Sequence, residues 1–233
     1  MIEPDFEILG EIGPCLVVSK PPGLLTQAPQ GIDSLETRIK QFIKVRDQKP
    51  GGVYLGVPQR LDRPVSGAMV FAKHARAARR LSEQFESRRV EKVYWALLEG
   101  HVTPREGTWL DHLRKIPDVA QAEIVPADHA DAREAVMHYR TLDQSAAFSW
   151  LEIRLETGRM HQIRIQCASR GHPLLGDVQY GATTAFGEQY EDQRLRAIAL
   201  HSRFLAFDHP MTHLPMSYVA PLPRPWIATG VNP

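Results

Sequence analysis

With 233 residues, the chain has room for one large domain or two small ones with a full core. Apolar residues make up 43% and the formal charge is +1, from 28 Lys and Arg against 27 Asp and Glu, so no strongly basic footprint announces a nucleic-acid partner. No apolar run reaches membrane-span length, the start Met1-Ile2-Glu3-Pro4-Asp5 lacks the basic and apolar segments of a signal peptide, and Cys15 and Cys167, with no C-x-x-C pair, argue against a disulfide framework or a thiolate metal centre.

Residues 15–19 read as a short buried strand, stopped at Lys20-Pro21-Pro22-Gly23 because proline supplies no N–H. Asp33 and Glu36 have capping-box spacing with Asp at the cap. They open a helix whose Leu35, Ile39, Phe42 and Ile43 share one face and which fades by Asp47. Lys49-Pro50-Gly51-Gly52 is a flexible loop, either a connector or a flap over a bound strand. The stretch from Pro58 to Lys73 sets Asp62 between Arg60 and Arg63, ahead of Ser66-Gly67 and an apolar run that reads as a buried strand. Asp62 therefore sits on a loop beside a rigid element, with cations that favour its ionised form. An ionised carboxylate there serves as nucleophile, base or half of a surface ion pair.

A helix is predicted over about 74–88, with Ala78, Leu81 and Phe85 as its apolar stripe. Arg76, Arg79, Arg80, Arg88, Arg89 and Lys92 crowd this segment and form either a solvated face or a phosphate-binding one. Acids gather instead at 128–134 and 188–192. Residues 91–99 read as a strand, with Val93, Trp95 and Leu97 on one side and Tyr94, Ala96 and Leu98 on the other. Strands follow at 108–113, 121–125 and 135–141, and residues 147–156 alternate clearly, Leu151, Ile153 and Leu155 inward, Glu152, Arg154 and Glu156 outward. After Thr157-Gly158 a short helix is predicted over about 161–170, although Ile163-Arg164-Ile165 reads equally well as strand. In the helical reading His161 and Arg164 share a face, and Gly171 with Pro173 ends the element. Two strands surround His209-Pro210-Met211-Thr212, and Pro221, Pro223 and Pro225 block regular structure beyond them. Frequent strands with few helices point to an α+β chain with a mixed, mostly antiparallel sheet. No internal repeat or long linker divides the sequence.

Five ordered stretches form one pattern. They are Arg60-Leu61-Asp62 with Ser66-Gly67; Lys92, Tyr94, Ala96 and Gly100; Thr157-Gly158-Arg159 with His161-Gln162-Ile163-Arg164; Gly171-His172-Pro173 with Gly176-Asp177; and the run from Leu200 to Thr212. The set closely resembles the RluA/RsuA-type RNA pseudouridine synthases, over roughly residues 16–223. The resemblance implies a single catalytic domain over residues 1–233, with helices flanking a central cleft and without a preceding S4-type RNA-binding domain. Gln59 stands where that family often has His, and Val65 where it often has Thr.

The resemblance further implies an isomerase that converts uridine to pseudouridine in structured RNA, rRNA or tRNA, without metal or other cofactor. Asp62 is then the catalytic carboxylate, Arg164 its basic partner, and Tyr94 the ring that stacks on the extruded base. Arg60 would fill the space the base leaves. Arg63, Arg159, His161, Lys20, Arg79 and Arg80 are the further candidate RNA contacts, Lys20 having a structural role as its alternative. A monomer in the cytoplasm is the simplest expectation. A rival reading keeps the fold but not the turnover: a non-catalytic RNA-binding or ribosome-assembly protein. A hydrolase using Asp62 lacks support, since neither a placed second carboxylate nor a G-x-S-x-G or H-E-x-x-H motif is present, and the ten histidines match no zinc spacing.

Overall fold

The computed structural model describes residues 4–231; residues 1–3 of the start read above for a signal peptide lie outside them. The chain runs β1 (Glu7–Ile12), β2 (Cys15–Lys20), α1 (Leu35–Arg46), β3 (Ser66–Ala72), α2 (Ala75–Glu86), β4 (Glu91–Glu99), β5 (Glu106–Lys115), β6 (Ala122–Ile124), β7 (Arg133–Gln144), β8 (Phe148–Leu155), α3 (Gln162–Ala168), β9 (Leu200–Asp208), β10 (Pro215–Val219) and α4 (Arg224–Ile227). Short 3₁₀ turns lie at Val178–Tyr180 and Gln193–Leu195. Mostly antiparallel strands and few helices make this an α+β fold. No helix among the described residues is long and apolar enough to cross a membrane.

The chain divides into two compact units. The first holds the residues up to Lys92, Tyr190–Leu195 and the chain from Ser202 onward. There β2 lies between β1 and β3, β9 neighbours β3, and β10 pairs with β9. Strand β3 is buried along its whole length and β2 at all but one position. That is why their sequences are continuous apolar runs rather than alternating ones. On one side Cys15, Val17, Ala68, Val70 and Ala72 pack with Ala77 and Leu81 of α2. Gly67 is required where β3 passes β9: its φ is +119°, and a Cβ there would overlap the Ser202 backbone.

Helix α1 starts one residue later than the capping-box reading places it. Ser34, not Asp33, is the N-cap and its Oγ accepts from the Thr37 N–H at 3.2 Å. Asp33 instead binds the Arg38 guanidinium. At the other end of the chain, Pro221, Pro223 and Pro225 do not block regular structure. Pro225 sits in the first turn of α4, where its missing N–H has no intrahelical partner to lose, and Trp226 beside it is fully buried.

The second unit comprises Val93–Gln189 and Arg196–His201. Its strands run in the order β4-β8-β7-β5-β6, each pair antiparallel. Trp95 and Trp150 meet edge to face across β4 and β8, with centroids 4.8 Å apart. The segment 162–168 is helix, not strand. His161 lies outside it, in the left-handed region at φ 52°, so it does not share a helical face with Arg164. The helix closes as a Schellman motif: His172 N–H donates to the Cys167 carbonyl, Gly171 N–H to that of Ala168, and Gly171 has φ +81°.

Candidate functional site

In the first unit, the loop that carries Asp62 is fastened by the segment after β2. Thr26 Oγ1 donates to the Leu61 carbonyl at 2.8 Å and accepts from the Leu61 N–H at 3.2 Å. On the far side of Asp62, the Arg63 carbonyl accepts from Lys20 Nζ at 3.1 Å and from the Gly23 N–H at 2.8 Å. The Val65 N–H returns to the Asp62 carbonyl at 3.1 Å and closes a turn around Arg63-Pro64. The polar groups of this stretch thus go to protein partners, which holds a non-repetitive segment in one conformation. Asp62 itself is partly exposed, and Arg60 beside it is exposed.

Lys20 has no accessible surface. Its ammonium donates to the carbonyls of Pro21, Leu24 and Arg63. Burial pushes its pKa down to about 7, against the pull of the nearby Asp62 carboxylate. A group so enclosed cannot touch a bound strand, which corrects the RNA-contact reading of Lys20 and leaves the structural one. The turn of Lys20-Pro21-Pro22-Gly23 is a base for the Asp62 loop.

In the second unit, the T-G-R-M-H-Q stretch is closed by its own side chains. Thr157 Oγ1 donates to Gln162 Oε1 at 2.8 Å and accepts from the Val136 N–H on β7 at 2.8 Å. Gln162 Oε1 also accepts from the Arg159 N–H, while Gln162 Nε2 donates to the Val136 carbonyl. This pins the loop to β7 and sets out Arg159, His161 and Arg164. Arg159 is exposed and its Nε donates to the Glu134 carbonyl.

Arg164 points into the unit and is 3% exposed. Its Nε and Nη2 each reach an Asp177 oxygen at 2.7 Å, and Nη2 also donates to Gln179 Oε1 at 2.8 Å. Asp177 is 1% exposed, so this is a buried bidentate pair. The guanidinium carbon lies 4.9 Å from the Tyr180 ring centroid. The Tyr180 hydroxyl lies 2.9 Å from His161 Nδ1 and accepts from the Ala122 N–H at 3.0 Å. One 3₁₀ turn and the residue before it therefore bind Arg164 and His161 together. Reasoning from sequence missed Asp177, Gln179 and Tyr180 as partners of Arg164; the signal available was the Gly176-Asp177 end of the motif that starts at Gly171. Tyr94 is 8% exposed on β4, opposite Ile153 of β8.

Of the basic residues around α2, Arg79 is exposed and lies 3.4 Å from Glu83 one turn on. Arg80 is half-buried, its Nη1 donating to the Pro210 carbonyl at 2.7 Å, so it ties α2 to the turn after β9. Lys92 has its pKa lowered by burial and then by the neighbouring Arg88.

A family model described as RNA pseudouridylate synthase matches residues 14–169. An uncharacterized RNA pseudouridine synthase of Synechocystis sp. is 32% identical over 226 residues, covering 94% of this chain and 66% of the relative. Ribosomal large subunit pseudouridine synthase D of Pseudomonas aeruginosa is 32% identical over 235 residues, covering 96% of this chain and 70% of the relative. The chain thus spans about two thirds of the length of the curated relatives it matches. The solved structure of human RNA Pseudouridylate Synthase Domain Containing 4 superposes with a TM-score of 0.76 at 23% identity, over 95% of this chain and 90% of that one, a likeness of fold. On the extent of the family match, and on relatives of this identity along nearly its whole length, the chain belongs to the RNA pseudouridylate synthase family.

Proposed function

We propose that this protein converts uridine to pseudouridine in structured RNA, with Asp62 as the catalytic carboxylate. The observation that carries the reading is the family match over residues 14–169, which spans the stretches holding Asp62, Tyr94 and Arg164. The reaction breaks the N1–C1′ bond, turns the base and joins C5 to C1′. The C5 proton is lost and N1 gains one, with no net change in oxidation state. Asp62 activates the nucleotide for the first of these steps. Arg164 is the basic member of the catalytic set, Tyr94 stacks on the displaced uracil, and Arg60 occupies the space the base leaves. Extruding a base costs roughly a few kcal/mol, which the stacking partner and the inserted side chain offset. Arg63, Arg159, His161 and Arg79 hold the backbone of the RNA, where contacts position without specifying sequence. Arg80, held by its bond to the Pro210 carbonyl, is a further such contact.

Two structural features support these roles. The Asp62 loop is fastened on both sides, and the Arg164 guanidinium is fixed by two acceptors. Pre-fixed groups of this kind lower the reorganisation a reaction needs. The protein acts as a cytoplasmic monomer on rRNA or tRNA, and the name of the Pseudomonas relative makes large-subunit rRNA the first RNA to try.

The test is release of tritium to water from RNA labelled at uridine C5. Wild-type protein releases label and Asp62→Asn does not. Tight binding of cellular RNA with no release by the wild type would replace this reading with that of a non-catalytic RNA-binding protein.

A further inference from the structure

We propose that Thr26 is a positioning residue for Asp62, acting through a reciprocal pair of hydrogen bonds to the peptide groups of Leu61. The inference rests on the assignment of Asp62 made above and deepens it.

Thr26 lies 36 residues before Asp62 in the chain, in the segment between β2 and α1. Its side chain is 3% exposed and Leu61 is 7% exposed, so water does not compete for these groups. A single hydroxyl serves both polar groups of Leu61, donating to the carbonyl at 2.8 Å and accepting from the N–H at 3.2 Å. The pattern copies what one residue of a strand does for its neighbour, where no strand exists. It demands an atom that donates and accepts at once, which among small side chains means Ser or Thr. The Leu61 carbonyl belongs to the peptide that leads into Asp62, so the hydroxyl fixes the orientation of the peptide plane from which the Asp62 Cα hangs.

Thr26 is itself immobilised. Its carbonyl accepts from the Glu36 N–H at 3.1 Å and the Leu25 carbonyl from the Leu35 N–H at 2.8 Å, both at the start of α1. The orphan N–H groups of a helix terminus are thereby used to anchor the residue that aims the catalytic loop. With Lys20 and Gly23 on the Arg63 carbonyl, Asp62 is held through the peptide that leads into it and through the Arg63–Pro64 peptide one residue beyond it. Lys20 restrains the exit of the loop and Thr26 its entry.

The experiment compares Thr26→Val, which keeps the shape and removes the hydroxyl, with Thr26→Ser, which keeps the hydroxyl. Substrate is total RNA labelled with tritium at uridine C5, from cells lacking the protein, with full-length protein in excess. Single-turnover release is followed as protein concentration rises, giving a limiting rate constant and a half-saturating concentration. Thr26→Val is expected to lower the limiting rate by roughly tenfold or more, the order a small misplacement of a reacting group produces. The half-saturating concentration stays within about twofold, since RNA contacts are untouched. Thr26→Ser restores the rate to within about threefold of wild type. Hydrogen exchange supplies a readout independent of chemistry: the Leu61 amide exchanges faster in Thr26→Val and not in Thr26→Ser. A limiting rate for Thr26→Val equal to wild type, while Asp62→Asn is inactive, overturns the inference and spares the assignment of Asp62. Equal losses in the Val and Ser variants also overturn it, because packing and not the hydroxyl would then be responsible. Release by Asp62→Asn at the wild-type rate removes the assignment of Asp62, and the inference with it.

Discussion

Replacing Asp177 by Ala leaves the Arg164 guanidinium buried without its carboxylate. The two side chains are 3% and 1% exposed, and two charge-assisted bonds of 2.7 Å join them. Breaking a buried pair by removing one member costs about 3–5 kcal/mol, because the remaining charge keeps its desolvation penalty. At about 2–4 °C per kcal/mol for a chain of this size, the melting temperature of Asp177→Ala falls by roughly 6–20 °C. Arg164→Met removes the charge instead, and the double variant Asp177→Ala with Arg164→Met removes both. A thermodynamic cycle over these variants should give about 1 kcal/mol or more of favourable coupling, with the double variant more stable than the sum of the single losses predicts. The melts are read by calorimetry, alongside tritium release. Asp177→Asn, which keeps the shape and loses the charge, should lie between wild type and Asp177→Ala in stability and lose turnover more than RNA affinity. If the cycle is strictly additive, or if Asp177→Ala melts within about 2 °C of wild type, the pair does not hold Arg164 and the argument built on it fails.

Lys20 has a folded-state pKa of about 7, below its ordinary value of 10.5. The folded protein therefore sheds this proton before the unfolded chain does. Below pH 7 the cost of burying the ammonium is present in full, and it is relieved as pH rises from 7 toward 10.5. Relative to Lys20→Met, wild type gains about 2 kcal/mol of stability between pH 7 and 9; a difference that does not change over that interval in denaturant melts counts against the assignment. A neutral amine has only two hydrogens for the three carbonyls it now serves, so turnover should fall over the same interval in which stability rises. Ser34→Ala removes the N-cap of α1 and should cost about 1 kcal/mol, more than Asp33→Ala, which loses only an exposed pair with Arg38; the reverse order in urea melts would restore Asp33 as the cap. Gly67→Ala should be damaging, by roughly 3 kcal/mol or more, since its Cβ overlaps the Ser202 backbone and its φ is +119°; a fully stable Gly67→Ala protein in a thermal melt would show that β3 and β9 do not approach this closely.

Strands were legible in the sequence because their signal is local. β4 is found at residues 91–99, and the alternation of Leu151 and Ile153 with Glu152 and Arg154 reappears as buried and partly or fully exposed positions of β8. Caps were less legible. Asp33 and Ser34 are adjacent cap formers, and the choice between them depends on which one reaches Thr37 in three dimensions. The helical reading of residues 161–170 carried His161 inside the element, but the side chains of Thr157 and Gln162 close the preceding loop and leave His161 in the left-handed region. The pairings that support the candidate site were the least legible: Lys20 and Asp177 stand in recognisable stretches, but their partners do not follow from those stretches. Thr26 with Leu61, Lys20 with Arg63 and Arg164 with Asp177 are separated by 35, 43 and 13 residues. Nothing in a one-dimensional pattern of spacing marks such pairs.

What unites these pairs is that each does something an apolar side chain would do more cheaply for stability alone. Burying an ammonium at Lys20 and a guanidinium with its carboxylate at Arg164 and Asp177 is a poor way to build a core, since well-packed apolar residues of similar volume are commonly as stable or more so. In each unit the buried cation belongs to the candidate site, though in a different role. Lys20 is tied to the carbonyl one residue past Asp62, and Arg164 is a proposed member of the catalytic set. Local rules of core composition are broken beside the candidate catalytic residues, and the breach takes the form of polar groups whose bonds fix direction. A chain selected for stability alone would not place a lysine with a pKa near 7 under a loop it could have closed with leucine. The expectation is therefore that apolar replacements at Lys20, and at Arg164 with Asp177 together, cost far less in melting temperature than in turnover. That separation is what distinguishes a fold that uses these charges from one that merely tolerates them.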